Sequence, residues 1–187
     1  MQHNLLKFVK FANALNERVG KATSWLLALL VVLVCFDVVA RKLFNFSKIW
    51  MMEMEWHLYS LVFLLAAGYA LKHDRHVRVD LFYEKYGLKD KALTNFWGHL
   101  IFLIPWCVMV IFSSYHYAME SYSMNEGSPE PGGLPARYII KFAITIGATL
   151  LLLQAIAGMI ESGFVLFGKN GNNELGSSKE NSTLKNT

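Results

Sequence analysis

The chain has 187 residues, 54% of them hydrophobic, and a formal net charge of +4. Its apolar residues are gathered into four long blocks instead of recurring at the spacing of a soluble core, which argues against an ordinary water-soluble domain. The cations sit beside those blocks and form no continuous basic face, so the positive charge does not point to nucleic acid.

In chain order, the first expected element is an amphipathic helix. Leu5, Phe8, Val9, Ala12, Leu15 and Val19 fall on one face at helical spacing, with Lys7, Lys10, Glu17 and Arg18 on the other. Such a segment lies flat on an anionic membrane surface or packs on a partner subunit. A basic start that runs on into a long apolar block reads as a retained signal anchor, not a cleaved leader. The blocks run from Ala22 to Phe44, from Glu55 to Leu71 with Met51 and Met52 needed to complete the span, from Ala92 to Tyr117, and from Tyr138 to Phe167. A helix needs roughly 20 apolar residues to cross a hydrocarbon core of about 30 Å. In lipid each backbone amide must be satisfied within its own segment, so the expected fold is an all-α membrane protein with four spans. The expected layout is an N-terminal helix over 1–20, a four-helix domain over 21–168 and a disordered tail over 169–187.

Pro105 lies inside the third block and is expected to kink it. Small residues at Ala66, Ala70, Ala143 and Gly147 suggest close helix packing. Trp25 and Trp97 mark one water boundary, and Trp50, Trp56, Tyr115, Tyr117 and Tyr138 the other. Thirteen cations flank the first block on its N-terminal side, the second-to-third connection and the tail, against five in the other two connections. The positive-inside rule then places both ends in the cytoplasm.

Asp37 stands inside the first block, where an ionisable group is a functional candidate, and Arg41 is placed to pair with it one turn on. Glu53 and Glu55 cluster with Trp50 and Trp56, either complementing the N-terminus of the second helix or forming a docking surface. The stretch Lys72–Asp80 carries Arg75, His76, Arg78 and Asp80, which suit lipid phosphates or a subunit contact. His57 and His116 fall at similar depth on different helices, so a b-type haem or a quinone-linked anchor is a second reading. Cys35 and Cys107 both lie within apolar blocks, and no disulfide framework or zinc site is available to them. The chain contains no P-loop, no HExxH motif, no nucleophile elbow and no paired catalytic carboxylates, so neither enzyme chemistry nor a cofactor or metal is expected.

Four stretches occur together in an order that carries a resemblance: FDVVARKLFNF from Phe36, WMMEMEW from Trp50, LLAAGYALKHDRHVRVD from Leu64, and EGSPEPGGLPARY from Glu126. Over roughly Leu15 to Ile160 the chain resembles the small membrane subunit, the DctQ type, of tripartite ATP-independent periplasmic (TRAP) transporters. His76 to Asp80 and Gly133, Leu134 and Pro135 carry it most specifically. Glu53 and Glu55 are separated by Met54 where many relatives have adjacent acids. The last stretch is similar to the branch labelled for mannitol or chloroaromatic compounds.

The resemblance implies a bacterial inner-membrane location and two protein partners. One is a large membrane subunit that carries organic-acid-like solute and sodium; the other is a periplasmic binding protein that captures it. The small subunit braces the large one. Asp37, Arg41, Glu53, Glu55, Arg75, His76, Arg78, Asp80, Gly133 and Pro135 are the resulting candidates for contacts with these partners or with membrane lipid.

Overall fold

The computed structural model describes residues 2–46, 48–73 and 87–167, and among them every regular element is helical. The helices are α1 (Gln2–Phe44), α2 (Ile49–Lys72), α3 (Leu88–Trp97), a π-helical turn (Gly98–Leu103), α4 (Ile104–Ser123) and α5 (Tyr138–Phe167). The segment from α3 to α4 is a single span, so among the described residues four stretches are long and apolar enough to cross a membrane. The expected tail over 169–187 lies outside the described residues, as do Arg75, His76, Arg78 and Asp80.

Helix α5 is the centre of the bundle. It has the most buried surface of the four spans and packs on α1 and α2 along one flank and on α3 and α4 along another. Its sequence explains this position: Ala143, Gly147, Ala148, Ala155 and Ala157 are buried and let neighbouring backbones come close. A Cβ at Gly147 would sit 2.8 Å from the Leu64 carbonyl oxygen, so α2 and α5 approach here at a distance only glycine permits. The Ala66 and Ala70 pair expected at such a contact is only partly buried, and the close approach on α2 falls on Gly68 between them.

Helix α1 differs from expectation. The amphipathic segment and the first span form one unbroken helix of 43 residues. At about 1.5 Å per residue it is more than twice as long as a bilayer core is thick. Nothing interrupts it because Gly20, the one helix-weakening residue in its first half, is occupied by the Tyr69 ring, against which any side chain would collide. The middle of the apolar face over Leu5–Val19 is covered by the chain itself, where Val9 and Ala12 pack with Ala157, flanked by Leu153 and Ile160 of α5, while Leu5 stays exposed. Beyond Trp25, α1 packs mainly on α2, and its other faces carry exposed Val, Leu and Phe, as a lipid-facing helix must.

The kink expected at Pro105 takes the form of the π-helical turn that ends just before it. Proline lacks an N–H and crowds the preceding turn, and widening that turn removes the clash without ending the span. Helix α1 stops at Asn45, which adopts a left-handed conformation with φ 51°, and the Phe46 amide returns to the Ala40 carbonyl. Helix α4 ends in a Schellman motif: Asn125 has φ 46°, the Glu126 amide donates to the Ser121 carbonyl, and the Asn125 amide donates to the Tyr122 carbonyl.

Candidate functional site

Two polar sites stand at opposite ends of the bundle, each built around one carboxylate. The first is Glu53 on α2. The loop of residues 124–137 folds over it through a tight turn at Glu130-Pro131-Gly132-Gly133, closed by the Gly133 amide on the Glu130 carbonyl at 3.1 Å. Pro131 supplies the fixed φ of the first central position and Gly132 the positive φ, 83°, of the second, which is the pattern of a type II turn. The Ser128 amide bonds the Leu134 carbonyl at 3.0 Å and the Arg137 amide bonds the Glu126 carbonyl at 2.9 Å.

This closed loop presents two donors to Glu53: the Ser128 hydroxyl bonds one carboxylate oxygen, and the Leu134 amide bonds the other at 2.5 Å. Gly133 lies against the Glu53 carboxylate and the Ser128 side chain, with no room for a Cβ. Pro135 is exposed on the outside of the loop.

Beside this clasp runs a second bridge. Glu126 bonds the Lys141 ammonium and accepts from the Ser121 hydroxyl at 2.7 Å, and the Lys141 ammonium also sits 3.8 Å from the centre of the Tyr117 ring. The hydrogen bond from Lys141, followed by that from Ser121, holds the Glu126 carboxyl below its usual range. Together these contacts join α2, α4, α5 and the loop. Neither Ser128 nor Lys141 stood out in the sequence, although Ser128 lies within the quoted EGSPEPGGLPARY stretch and Lys141 is a charge one turn into an apolar helix.

Glu53 and Glu55 do not complement the start of α2, because the helix begins at Ile49 and has no acidic residue in its first turn. Their roles diverge: Glu53 is held by the loop, and Glu55 keeps one carboxylate oxygen without a hydrogen-bond partner among the described residues. Asp37 and Arg41 form the i, i+4 ion pair that their spacing suggested, with the Asp37 side chain 4% exposed and that of Arg41 51%. Gly20 meets Tyr69 near the far end of α2, and Asp37 lies about 25 Å further along α1 at about 1.5 Å per residue. The pair therefore sits near the Glu53 end of the bundle, with Arg41 much more exposed than the buried carboxylate it pairs with.

The second site is Glu17 on α1, which accepts from Lys72 at 2.8 Å and His73 at 3.0 Å and pairs with Lys21 at 3.2 Å. The His73 ring rests on Tyr69 at 4.3 Å. Lys72 and His73 are the last residues of α2 and its C-cap, where cations suit the helix dipole. Next to this cluster a buried amide network ties α1 to α5. Asn16 donates to Gln154 at 3.0 Å, Gln154 donates to Asn13 at 2.8 Å, and Asn13 donates to Glu161 at 3.0 Å. Among the described residues the Asn16 carbonyl oxygen has no hydrogen-bond donor; it lies against Gly68 where a Cβ would otherwise be, a place suited to a Cα–H contact.

His57 and His116 do not form a facing pair. His57 donates through Nδ1 to the Glu53 carbonyl at 2.6 Å and stacks beside Trp56, while His116 sits edge-on to Phe112. Their helices, α2 and α4, each pack on α5 and not substantially on each other, so nothing in this arrangement favours a haem between them. Among the described residues no group of three or more His, Cys, Asp and Glu side chains is placed to hold a metal ion. Cys35 is exposed and Cys107 buried, and both are free thiols.

Residues 30–162, well over half of the chain, match the family described as tripartite ATP-independent periplasmic transporters, DctQ component. The chain belongs to the DctQ family. It is thus a multi-pass membrane protein and the small component of a TRAP transporter. No curated protein matches this DctQ chain closely enough to add to that assignment. The match begins at the α1 span and ends within α5, so it takes in the Glu53 clasp, its loop and the central helix.

Proposed function

We propose that this DctQ chain is the non-catalytic small permease subunit of a secondary active, ion-coupled transporter for organic-acid-like solutes. It braces the large membrane subunit in the bacterial inner membrane, with both of its ends in the cytoplasm. The observation that carries the reading is the family match combined with a bundle fastened at both ends: the 124–137 loop locks α2 to α5 at one, and the Glu17 cluster with the Asn16–Gln154 network locks α1 to α2 and α5 at the other. Such a body suits a stationary support against which a moving partner works. Its sequence also shows no half-to-half duplication of the kind between whose copies secondary transporters usually form their substrate sites.

The closed loop at the Glu53 end, with Pro135 on its outside, is part of the docking surface for the periplasmic binding protein. Asp37, Arg41 and Glu55 lie toward the same end and belong to the same candidate surface. Arg75, His76, Arg78 and Asp80 lie on the cytoplasmic side and contact lipid phosphate or the large subunit. The solute class rests on the likeness of the EGSPEPGGLPARY stretch to one branch of the family.

Co-expression with the large subunit and affinity capture in detergent tests the reading. A stable complex is expected, with its yield lowered by charge reversal at Arg75 and Arg78 more than by removal of residues 169–187. A chain that runs alone and takes up solute by itself would contradict it. Purified protein is expected to show no Soret absorbance, and a Soret band would revive the haem alternative.

A further inference from the structure

Because α2 and α4 both lean on α5 without packing together, they leave a cleft of about 410 Å³ at the Glu53 end, with α5 as its floor. The cleft is polar at its mouth and apolar below. Arg137, Lys141 and Glu126 stand at the mouth with Trp56 and the apolar Ile140, and Phe63, Leu64 and Ile144 line the depth. From Trp56 to Leu64 the wall descends about 12 Å at about 1.5 Å per residue, the depth of a glycerol backbone and the first part of its acyl chains.

The charges at the mouth are unequal. Lys141 is neutralised by Glu126, which also holds Ser121. Arg137 has no carboxylate within ion-pair distance among the described residues; its guanidinium lies over the Trp56 ring at 5.6 Å, with Glu53 and Glu126 acting on it only at longer range. The lining therefore keeps one cation in excess, on the side chain whose planar donors best fit a phosphate. Arg137 is also held in place: the preceding Ala136 is in the left-handed region at φ 64°, and the Arg137 amide is bonded to Glu126.

We propose that this cleft is a phospholipid site, in which Arg137 binds the phosphate, Trp56 and Tyr59 border the glycerol level, and Phe63, Leu64 and Ile144 take the upper acyl chains. The lipid fills the gap between α2 and α4 and so completes the bundle on the side where protein contacts are missing. The occupant is a membrane lipid and not a soluble anion, because most of the lining is apolar and lies below the charged mouth.

The test is native mass spectrometry of the full-length chain in detergent, supplied with dioleoyl phosphatidylglycerol. Wild type retains one lipid, while Arg137→Ala and Ile144→Trp each lower occupancy about tenfold, as expected for loss of a charge-assisted contact and for filling of the cleft by a larger side chain. Arg137→Lys keeps most of the binding and shows that loss in the alanine variant is not misfolding. Lys48→Ala, a cation outside the cleft, changes nothing. Equal retention in all variants would overturn the proposal, as would no retention in wild type. Competition by millimolar inorganic phosphate would also overturn it, by showing a site for a free anion.

Discussion

At the Glu53 end a carboxylate is held by neutral donors, a hydroxyl and a backbone amide of one loop; at the Glu17 end another carboxylate is held by Lys72, His73 and Lys21. Neutral donors fixed in a closed loop impose a shape, because each hydrogen bond needs its own direction. Flexible cations supply attraction with little directional demand, and salt weakens it. The structure compensates at the Glu17 end with buried packing, the Asn16–Gln154 amides and the Gly68 contact, which do the positioning that the ion pairs do not. One end is thus specified by its loop and the other by its helix interface.

That contrast can be broken most strongly at Gly68. Valine there would drive its side chain into Asn16 and the Leu150 backbone, and overpacking of this kind costs roughly 3 kcal/mol. Thermal unfolding in detergent should show a large loss, whereas valine at Gly127, where nothing lies within contact of a Cβ, should be nearly silent.

Glu53→Ala removes both loop contacts, so cleavage of the 124–137 loop by limited proteolysis should accelerate roughly tenfold while α1 and α2 remain packed. Unchanged cleavage would mean that the loop closes without its carboxylate. Glu17→Gln should cost about 1 kcal/mol at low ionic strength and nearly nothing in molar salt. A salt-independent loss would show that packing around Glu17, not charge, is what matters.

The smallest expected effect is a pH dependence at the Glu126–Lys141 bridge. Folding lowers the Glu126 pKa from its ordinary 4.5, so the bridge contributes in full above that value and its contribution fades as pH falls below it through the lowered pKa. Glu126→Gln should flatten that acid limb of the stability profile and leave neutral pH little changed.

How far the sequence revealed all this depends on the range of each interaction. The span Tyr138–Phe167 was read with its observed limits because it is one apolar run preceded by a proline-rich loop. The start of α2 was placed too late because Trp50, Met51, Met52 and Glu53 mix polar and apolar residues at a water boundary, where composition does not mark a helix end. The expected layout separates a helix over 1–20 from the domain over 21–168 because the apolar pattern changes there from one face to all faces, but a change of surroundings does not end a helix. Pro105 announced a distortion without saying which kind, since a kink and a wide turn both relieve the same clash.

The candidate site was only half visible. Glu53 and Gly133 were both noted, yet nothing local joins them: the Ser128 and Leu134 donors are 75 and 81 residues from Glu53 in sequence. Asn16 and Gln154, 138 apart, have nothing local that joins them either. Pairings across that separation follow from how the helices pack, which hydrophobic periodicity alone does not encode.

Reconstituting the large membrane subunit and its binding protein in liposomes with and without this chain, and measuring ion-driven solute uptake, tests the bracing role most directly. Uptake that requires the full-length chain, and that falls when Glu53→Ala frees the loop, is the predicted result. Equal uptake in its absence would contradict the role assigned here.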